Sequence, residues 1–226
     1  MPRARTNPTI RQTAASSQEE GSGCLSGFML IPLTVILSSL FLASLAMKTN
    51  PQQPLPSANQ NLIISSTFTP EIQYWAGSIS RWAIASGLDP NLIATIMQIE
   101  SCGDPRATSH AGAMGLFQVM PFHFQLADDP YNPETNALRG LSYLKRSLDS
   151  ANGNVRLALA GYNGGIGIIR TMEWSWPAET KRYVLYGEPI YNEARSGTSS
   201  NTSVQEWYSN YGASLCRQAS QRLGLQ

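Results

Sequence analysis

The sequence predicts a mostly helical domain of the α+β class, with a small non-helical insert and one transmembrane helix in front of it. Three observations predict this arrangement. Apolar residues recur at helical spacing, between recognisable caps and stops, over residues 70–224. A segment with Gly112, Gly115 and Pro121, residues 109–124, interrupts the helices and predicts a compact turn or short hairpin. The uncharged run FMLIPLTVILSSLFLASLAM occupies residues 28–47.

Length and composition bound the function only loosely. The 226 residues are enough for one ordinary domain with appendages. A formal net charge of +1, without a basic run, gives no reason to expect nucleic acid as a partner. No phosphate-binding loop occurs, and His110 and His123 lie in predicted turns without metal-ligand spacing. We therefore predict neither a metal nor a cofactor.

The first 69 residues are predicted to form three segments outside the folded domain. Residues 1–27 are polar and typical of a disordered tail. Residues 28–47 have about the length that spans a bilayer and exceed a usual signal-peptide core, which favours a retained anchor. Small residues near the end of this run leave signal cleavage and secretion as the alternative. Residues 48–69, rich in Pro, Gln and Asn, predict a linker.

Charges around the apolar run predict its orientation. Arg3, Arg5 and Arg11 precede the run, and only Lys48 follows it closely. The positive-inside rule therefore places the tail in the cytoplasm and the folded domain outside the membrane.

Three cysteines fall on the two sides of the predicted membrane. Cys24 precedes the apolar run, whereas Cys102 and Cys216 lie in the external part, where thiols can oxidise. A disulfide between Cys102 and Cys216 and two separate buried thiols are both compatible with the sequence.

The folded part is predicted as a domain over residues 70–194, followed by a C-terminal extension over residues 195–226. Side-chain caps and glycine stops bound most of its helices. The predicted helices cover residues 70–86 before Gly87, 90–101 after the cap Asp89, about 133–150 after the cap Asn132, a short helix from 155 after the cap Asn154, 178–194, and 203–224 in the extension.

Glu100 occupies an unusual position in the second predicted helix. It lies on the apolar stripe that contains Ile96 and Met97, in the last turn of the helix. Burial disfavours a charged carboxylate, and a helix C-terminus repels anions, so both effects raise its pKa. A carboxyl group with a raised pKa can deliver a proton to a poor leaving group near neutral pH. We therefore predict that Glu100 is a general acid.

Three separated segments surround this acid with further motifs. They read IESCGDPRATSHAGAMGLFQVMP (99–121), ALAGYNGG (158–165) and WPAETKRYV (176–184). In this order they resemble the lytic transglycosylases with a soluble-lytic-transglycosylase-type catalytic domain, relatives of goose-type lysozyme. The resemblance covers about residues 70–187. It implies a helical, lysozyme-like fold with a long cleft for the glycan strand of peptidoglycan.

The resemblance implies roles for five residues. Glu100 would be the catalytic acid, and Ser101 would support the site or the leaving sugar. Gln118 and Asn163 would bind acetamido or hydroxyl groups of the sugars, and Tyr162 would hydrogen-bond and orient Glu100. Each of the four supporting residues has a structural alternative. Ser101 would cap a helix, Gln118 stabilise a turn, Tyr162 pack in the core and Asn163 cap a helix.

The sequence departs from the family pattern at three positions. Phe117 replaces the usual Met of the Gly-Leu-Met-Gln motif, and Gly161 replaces the Ala of the Ala-Tyr-Asn motif. Gly161 lowers helix stability but leaves the following Tyr and Asn in register. Cys102 stands where the family often has Gly, and only a disulfide would give it a role.

No convincing second carboxylate accompanies Glu100. The other acids near the motifs read as turn, surface or cap residues: Asp104, Asp128, Asp129, Glu173 and Glu179. The resemblance implies a reaction that needs one acid. Glu100 protonates the oxygen between N-acetylmuramic acid and N-acetylglucosamine, then deprotonates the muramoyl C6 hydroxyl, which leaves a 1,6-anhydro end. The alternatives are a muramidase of the same fold that uses water, and a non-catalytic peptidoglycan-binding module.

Overall fold

A computed structural model describes residues 63–225 of the chain. The predicted tail 1–27, the predicted anchor 28–47 and most of the predicted linker 48–69 lie outside these residues. Between residues 63 and 225, no helix is both long and apolar enough to cross a bilayer.

The described residues are mostly helical, as predicted. Short 3-10 turns at Pro121–His123, Ile166–Arg170 and Glu173–Ser175 connect the longer elements. A π-helical turn, Tyr208–Gly212, joins the last two helices. The α-helices are α1 (Pro70–Tyr74), α2 (Ala76–Ser86), α3 (Pro90–Ser101), α4 (Pro133–Ser150), α5 (Val155–Gly164), α6 (Ala178–Arg195), α7 (Thr202–Trp207) and α8 (Ala213–Leu223).

The predicted helix over residues 70–86 is in fact two helices. The chain leaves helical geometry at Trp75, with φ −89° and ψ 2°. The indole N–H of Trp75 donates to the carbonyl of Gly103 at 2.9 Å, which fixes this break against the end of α3. A long-range contact therefore overrides a continuous local helix pattern.

The predicted caps are confirmed. Asp89 accepts the amide of Asn91 at 2.8 Å, and Asn132 accepts the amides of Glu134 and Thr135 in the first turn of α4. Asn154 accepts an amide in the first turn of α5. Gly87 ends α2 with φ 68°, the left-handed conformation that glycine adopts without strain.

The insert after α3 contains no strand within residues 63–225, so the β part of the predicted α+β class reduces to two isolated bridges. These bridges pair Thr108 with Met114 and Met114 with Val119. The buried Asn136 of α4 holds the insert in place. Its amide donates to the carbonyls of Met114 and Pro130, both at 2.8 Å, and its oxygen accepts the amide of Phe117 at 2.9 Å.

The folded part begins several residues before the predicted boundary at residue 70. Ile64 and Phe68 are buried in the core, and the Ser65 amide donates to Asn91 at 2.8 Å. The predicted linker is mostly polar, but these two apolar side chains near its end belong to the core, which accounts for the difference.

The C-terminal extension packs against α3 as part of the same compact unit. A disulfide joins Cys102, at the end of α3, to Cys216 in α8, which confirms that possibility over two free thiols. Asp104, predicted as a turn residue, is buried as well. It accepts two hydrogen bonds from Arg222, at 2.9 and 3.0 Å, and one from Gln218 at 3.0 Å. We call these contacts the C-terminal clamp.

Candidate active site

Glu100 lies at the boundary between the core and a cleft. Its neighbours on the apolar stripe, Ile96 and Met97, are fully buried, whereas Glu100 keeps partial access to solvent. Burial is the main cause that raises the pKa of Glu100 to about 8, and the charge of Glu179 raises it further. The carboxyl group is therefore mostly protonated at neutral pH, as a general acid requires.

The hydroxyl of Tyr183, in α6, affects the pKa of Glu100. A donor contact from Tyr183 opposes the two raising effects and lowers the pKa of Glu100. The Tyr183 side chain is buried, and within residues 63–225 its hydroxyl makes no hydrogen bond of full geometry. Burial and the charge of Glu100 raise the pKa of Tyr183 well above its usual value, so the phenol keeps its proton for donation.

Two lobes of the cleft share Glu100, Asn163 and Glu179 in their walls. The larger lobe has a volume of about 460 Å³, and its other lining residues include Gln118, His123, Tyr143 and Tyr162. The smaller lobe has a volume of about 180 Å³, and its other lining residues include Arg182, Tyr186, Trp207, Tyr211 and Leu215. The acid thus stands where a chain-like substrate can extend in two directions.

Tyr162 lines the larger lobe but does not make the predicted hydrogen bond to Glu100. Its hydroxyl donates to the backbone carbonyl of Phe117 at 2.8 Å. Burial, followed by the charge of Glu100, raises the pKa of Tyr162, which shows that the two side chains are near each other. Tyr162 therefore connects the insert to α5 through this hydrogen bond, and Tyr183 is the tyrosine whose hydroxyl contacts Glu100.

Ser101 is completely buried, which rules out the predicted direct contact with substrate in this conformation. Its hydroxyl donates to the carbonyl of Leu116 at 2.7 Å and accepts the amide of Gly103 at 3.1 Å. Ser101 is not the cap of α3, because it lies inside the helix and Cys102 occupies the cap position. Ser101 fixes the end of α3 to the insert and so positions the neighbouring Glu100.

Gln118 has the turn-stabilising role that was its structural alternative, and its contact with sugars stays a prediction. Its side-chain amide donates to the carbonyls of Gly115 and Ala107, at 3.0 and 3.3 Å, and so stabilises the turn. The same side chain lines the larger lobe. The backbone of Gln118 has φ 44°, a conformation that costs energy for a residue with a Cβ.

Asn163 stands at the junction of the lobes. Its oxygen accepts the hydroxyl of the buried Thr180 at 2.8 Å, which connects α5 to α6. Asn163 lies inside α5, which ends at Gly164, so the alternative of a helix cap is wrong.

Comparison with known proteins finds a family model and several relatives that match part of the chain. The family model described as the transglycosylase SLT domain matches residues 77–183. The match covers slightly less than half of the chain, and over these residues the chain is similar to the SLT domain family. The transglycosylase of Enterobacteria phage PRD1 is 39% identical over 114 residues, which are 50% of this chain and 40% of the phage protein. Membrane-bound lytic murein transglycosylase C of Sodalis glossinidius is 32% identical over 115 residues, covering 42% of this chain and 32% of that protein.

The chain thus spans less than half the length of these two relatives. Among solved structures, an inactive mutant of the lytic transglycosylase Slt from Pseudomonas aeruginosa matches with a TM-score of 0.45 and 28% identity. That match covers 54% of this chain and 24% of the Slt chain.

Two residues of the candidate site were missed as functional candidates. Glu179, interpreted as a surface or cap residue, lines both lobes, and Tyr183 contacts the acid. The signal was present in the third motif, because residues four apart on a helix share one face. Glu179 and Tyr183 have this spacing on α6.

The conformation of Cys102 is one that suits the glycine which the resemblance implies at this position. Cys102 ends α3 with φ 51°, in the left-handed region. The disulfide to Cys216 occupies a position that glycine would fill with less strain.

One cluster of potential metal ligands occurs among the described residues, and it is unsuited to a metal. Atoms of Glu71, Cys102 and Cys216 lie within 4.8 Å of one another. Metal binding by cysteine requires a thiolate, and both sulfur atoms are joined in the disulfide.

Proposed function

We propose that the chain is a peptidoglycan lytic transglycosylase whose single general acid is Glu100. The observation that carries this proposal is a carboxyl group with a pKa raised to about 8 at the junction of the two cleft lobes. The SLT domain match and the names of the relatives support the choice of peptidoglycan as substrate. We further propose that the domain has the lysozyme-like fold which the sequence motifs imply.

The first step transfers the proton of Glu100 to the glycosidic oxygen between N-acetylmuramic acid and N-acetylglucosamine. The bond from this oxygen to the muramoyl C1 breaks, and the oxygen of the 2-acetamido group stabilises the positive centre at C1. The protonated N-acetylglucosamine end leaves. Glu100 is then a carboxylate, and a hydrogen bond from the Tyr183 phenol would stabilise its charge.

The second step returns the proton to Glu100. The carboxylate removes the proton of the muramoyl C6 hydroxyl, and O6 forms a bond to C1 as the acetamido oxygen withdraws. The products are a free N-acetylglucosamine end and a 1,6-anhydromuramoyl end. No water is consumed, so a second catalytic carboxylate is unnecessary. In this scheme Gln118 and Asn163, which line the cleft, bind polar groups of the sugars.

A muramidase is the second candidate, and Glu179 is the observation that favours it. A hydrolase needs a second carboxylate to activate water or to act as nucleophile. Glu179 is close enough to Glu100 to raise its pKa. A pure binding module finds less support, because recognition of a glycan does not require an acid with a raised pKa.

We also propose an extracytoplasmic location, with residues 28–47 as the membrane anchor. The apolar run and its flanking charges support this placement. The Cys102–Cys216 disulfide supports it as well, because disulfides persist mainly in oxidising compartments. The Sodalis relative is itself named a membrane-bound enzyme.

Analysis of the cleavage products tests the proposed reaction. The full-length chain, solubilised in detergent, is incubated with purified peptidoglycan, and the fragments are weighed by mass spectrometry. We expect 1,6-anhydro ends, which are lighter than hydrolysed ends by one water. Reducing ends alone would establish the muramidase, and an intact glycan would support the binding module.

Two variants complete this experiment. Glu100→Gln should abolish cleavage while its circular dichroism spectrum stays unchanged. Asp149→Asn is the control, because Asp149 is a surface carboxylate paired with Lys145, and its activity should equal that of the wild type. Full turnover by Glu100→Gln would remove Glu100 from the catalytic role.

A further inference from the structure

The C-terminal extension supplies one wall of the smaller lobe. Trp207, Tyr211 and Leu215 line this lobe beside Glu100, and all three lie beyond residue 183, where the SLT domain match ends. Arg182 and Tyr186 of α6 form the facing wall. We call these five residues the extension lobe.

Local backbone geometry brings Tyr211 to the cleft. Tyr211 lies in the π-helical turn between α7 and α8, and π-helical turns occur frequently at functional sites. Gly212 permits the turn, since a Cβ at this position would lie 2.4 Å from the ring of the buried Trp207. The C-terminal clamp holds α8, which follows directly, against the end of α3.

The aromatic surface of the lobe is half open to solvent. Tyr211 is 51% exposed, and its ring meets that of Tyr186 edge-on, with centroids 5.2 Å apart. An exposed ring held by a neighbouring ring is a rigid apolar platform. Such a platform suits the apolar face of a pyranose.

Arg182 adds a positive charge without a protein counterion. Its guanidinium lies over the ring of Tyr211, 5.3 Å from the centroid. In the part of the chain that the structure describes, Arg182 forms no ion pair, whereas Arg139, Arg156 and Arg222 each pair with a carboxylate. The fork of N–H donors is therefore available to a ligand, and a carboxylate is its best geometric match.

We propose that the extension lobe is a subsite for an N-acetylmuramic acid unit that carries a carboxylate. Tyr211 stacks on the apolar face of the sugar, and Arg182 donates hydrogen bonds to the carboxylate of the lactyl substituent. This inference rests on the proposed function and adds to it. Arg182, within the matched range, selects a carboxylate-bearing sugar over a neutral N-acetylhexosamine, and Tyr211 of the C-terminal extension supplies the stacking surface beside it.

Calorimetric binding to two glycans tests the subsite. The protein is the full-length Glu100→Gln variant, which binds without cleavage. One glycan is the alternating strand obtained from peptidoglycan by removal of the stem peptides, which leaves the lactyl carboxylates. The other is a chitin oligosaccharide of equal length, which has no carboxylate.

Each side chain of the subsite has its own expected signature. Tyr211→Ala should weaken the binding of both glycans by roughly 3- to 10-fold, because both lose the stacking platform. Arg182→Gln should weaken only the muramic-acid strand, by about 10-fold, because only that strand loses a charged hydrogen-bond partner. Arg182→Lys should recover part of this loss, since it restores the charge without the fork.

Tyr74→Ala is the matched control. Tyr74 is a 55% exposed tyrosine in edge-on contact with Trp75, and it lies outside both lobes. Its substitution should leave both affinities unchanged. Unaltered binding by Tyr211→Ala, or equal losses for both glycans in Arg182→Gln, would overturn the subsite while the proposed function stands. A Glu100→Gln parent that binds neither glycan would instead count against the proposed function.

Discussion

Glu100 and Glu179 line the same cleft from two different helices, and the negative charge of Glu179 raises the pKa of Glu100. Burial remains the larger cause of the raised pKa. The protonation of the acid therefore depends on a side chain that is itself exposed to substrate and solvent. This coupling is open to measurement.

Replacing Glu179 by Gln should shift the pH profile toward acid. The proposed mechanism requires protonated Glu100, so kcat/KM should fall as the pH rises through the Glu100 pKa of about 8. Glu179→Gln removes a charge that raises this pKa, and the alkaline limb should move to lower pH. Steady-state rates measured from roughly pH 5 to 10 cover both sides of the alkaline limb and so give its shift.

Glu173→Gln serves as the control for this shift, because Glu173 is an exposed carboxylate outside both lobes, paired with Arg156. Its alkaline limb should coincide with that of the wild type. An unmoved limb in Glu179→Gln would show that the charge of Glu179 does not reach the acid. A collapse of kcat, with hydrolysed ends from the wild type, would instead identify Glu179 as the base of a muramidase.

Replacing Tyr183 by Phe should shift the same limb in the opposite direction. The Tyr183 hydroxyl lowers the pKa of Glu100, so its removal should raise that pKa and extend activity to higher pH. The value of kcat should fall, because the Glu100 carboxylate loses a donor in the second step. The hydroxyl is buried without a hydrogen bond of full geometry, so stability should hold or increase slightly.

Tyr162→Phe gives the contrasting result for a tyrosine in the same site. Its hydroxyl donates to the Phe117 carbonyl, and the substitution leaves that carbonyl without its partner. We expect a loss of about 1–3 kcal/mol in the free energy of unfolding and an alkaline limb close to that of the wild type. If Tyr162→Phe moved the limb and Tyr183→Phe did not, the assignment of the two tyrosines would be reversed.

Local features of the site were predictable from the sequence. Asp89 and Asn154 cap their helices because a short polar side chain satisfies amides two or three residues ahead, whatever the rest of the fold does. The position of Glu100 on the apolar stripe likewise follows from helical periodicity alone. These predictions involve only neighbours along the chain.

Contacts between distant segments were not predictable in the same way. The sequence motif favoured Tyr162 as the partner of Glu100. In the structure the Tyr162 hydroxyl donates instead to the carbonyl of Phe117 in the insert. Asp104 fits a turn pattern, and its carboxylate accepts the backbone amide of Arg106, which confirms the turn. Nothing local reveals that it also pairs with Arg222, because that partner is 118 residues away.

Gly161 illustrates a departure from the family pattern that the structure explains. A Cβ at this position would lie 2.4 Å from the hydroxyl oxygen of Ser147 and 2.6 Å from the end of Ile169. The Ser147 hydroxyl is fixed by donation to the Ala158 carbonyl at 2.8 Å. Gly161→Ala should therefore destabilise the protein by about 1–3 kcal/mol through overpacking, although alanine favours helices.

Chemical denaturation of three further variants checks this interpretation. Gly77→Ala, in an open position of α2, should stabilise the protein by about 0.5–1 kcal/mol. Ser147→Ala combined with Gly161→Ala should cost less than the sum of the two single changes, because the closest obstructing atom is gone. A Gly161→Ala variant as stable as Gly77→Ala would show that the site adapts freely.

The disulfide between Cys102 and Cys216 should determine both stability and access to the extension lobe. It closes a loop with a sequence separation of 114 residues and anchors α8 beside the end of α3. Cys102→Ser combined with Cys216→Ser should lower the free energy of unfolding by roughly 2–5 kcal/mol. Because the π-helical turn with Tyr211 precedes α8, KM for peptidoglycan should rise more than kcat falls.

Reductant serves as the control. It should lower the denaturation midpoint of the wild type to that of the double variant and leave the midpoint of the double variant unchanged. Mass spectrometry verifies that both cysteines of the wild type are reduced. If the denaturation midpoint of this reduced wild type stays constant, Asp104 and Arg222 hold α8 without the covalent link.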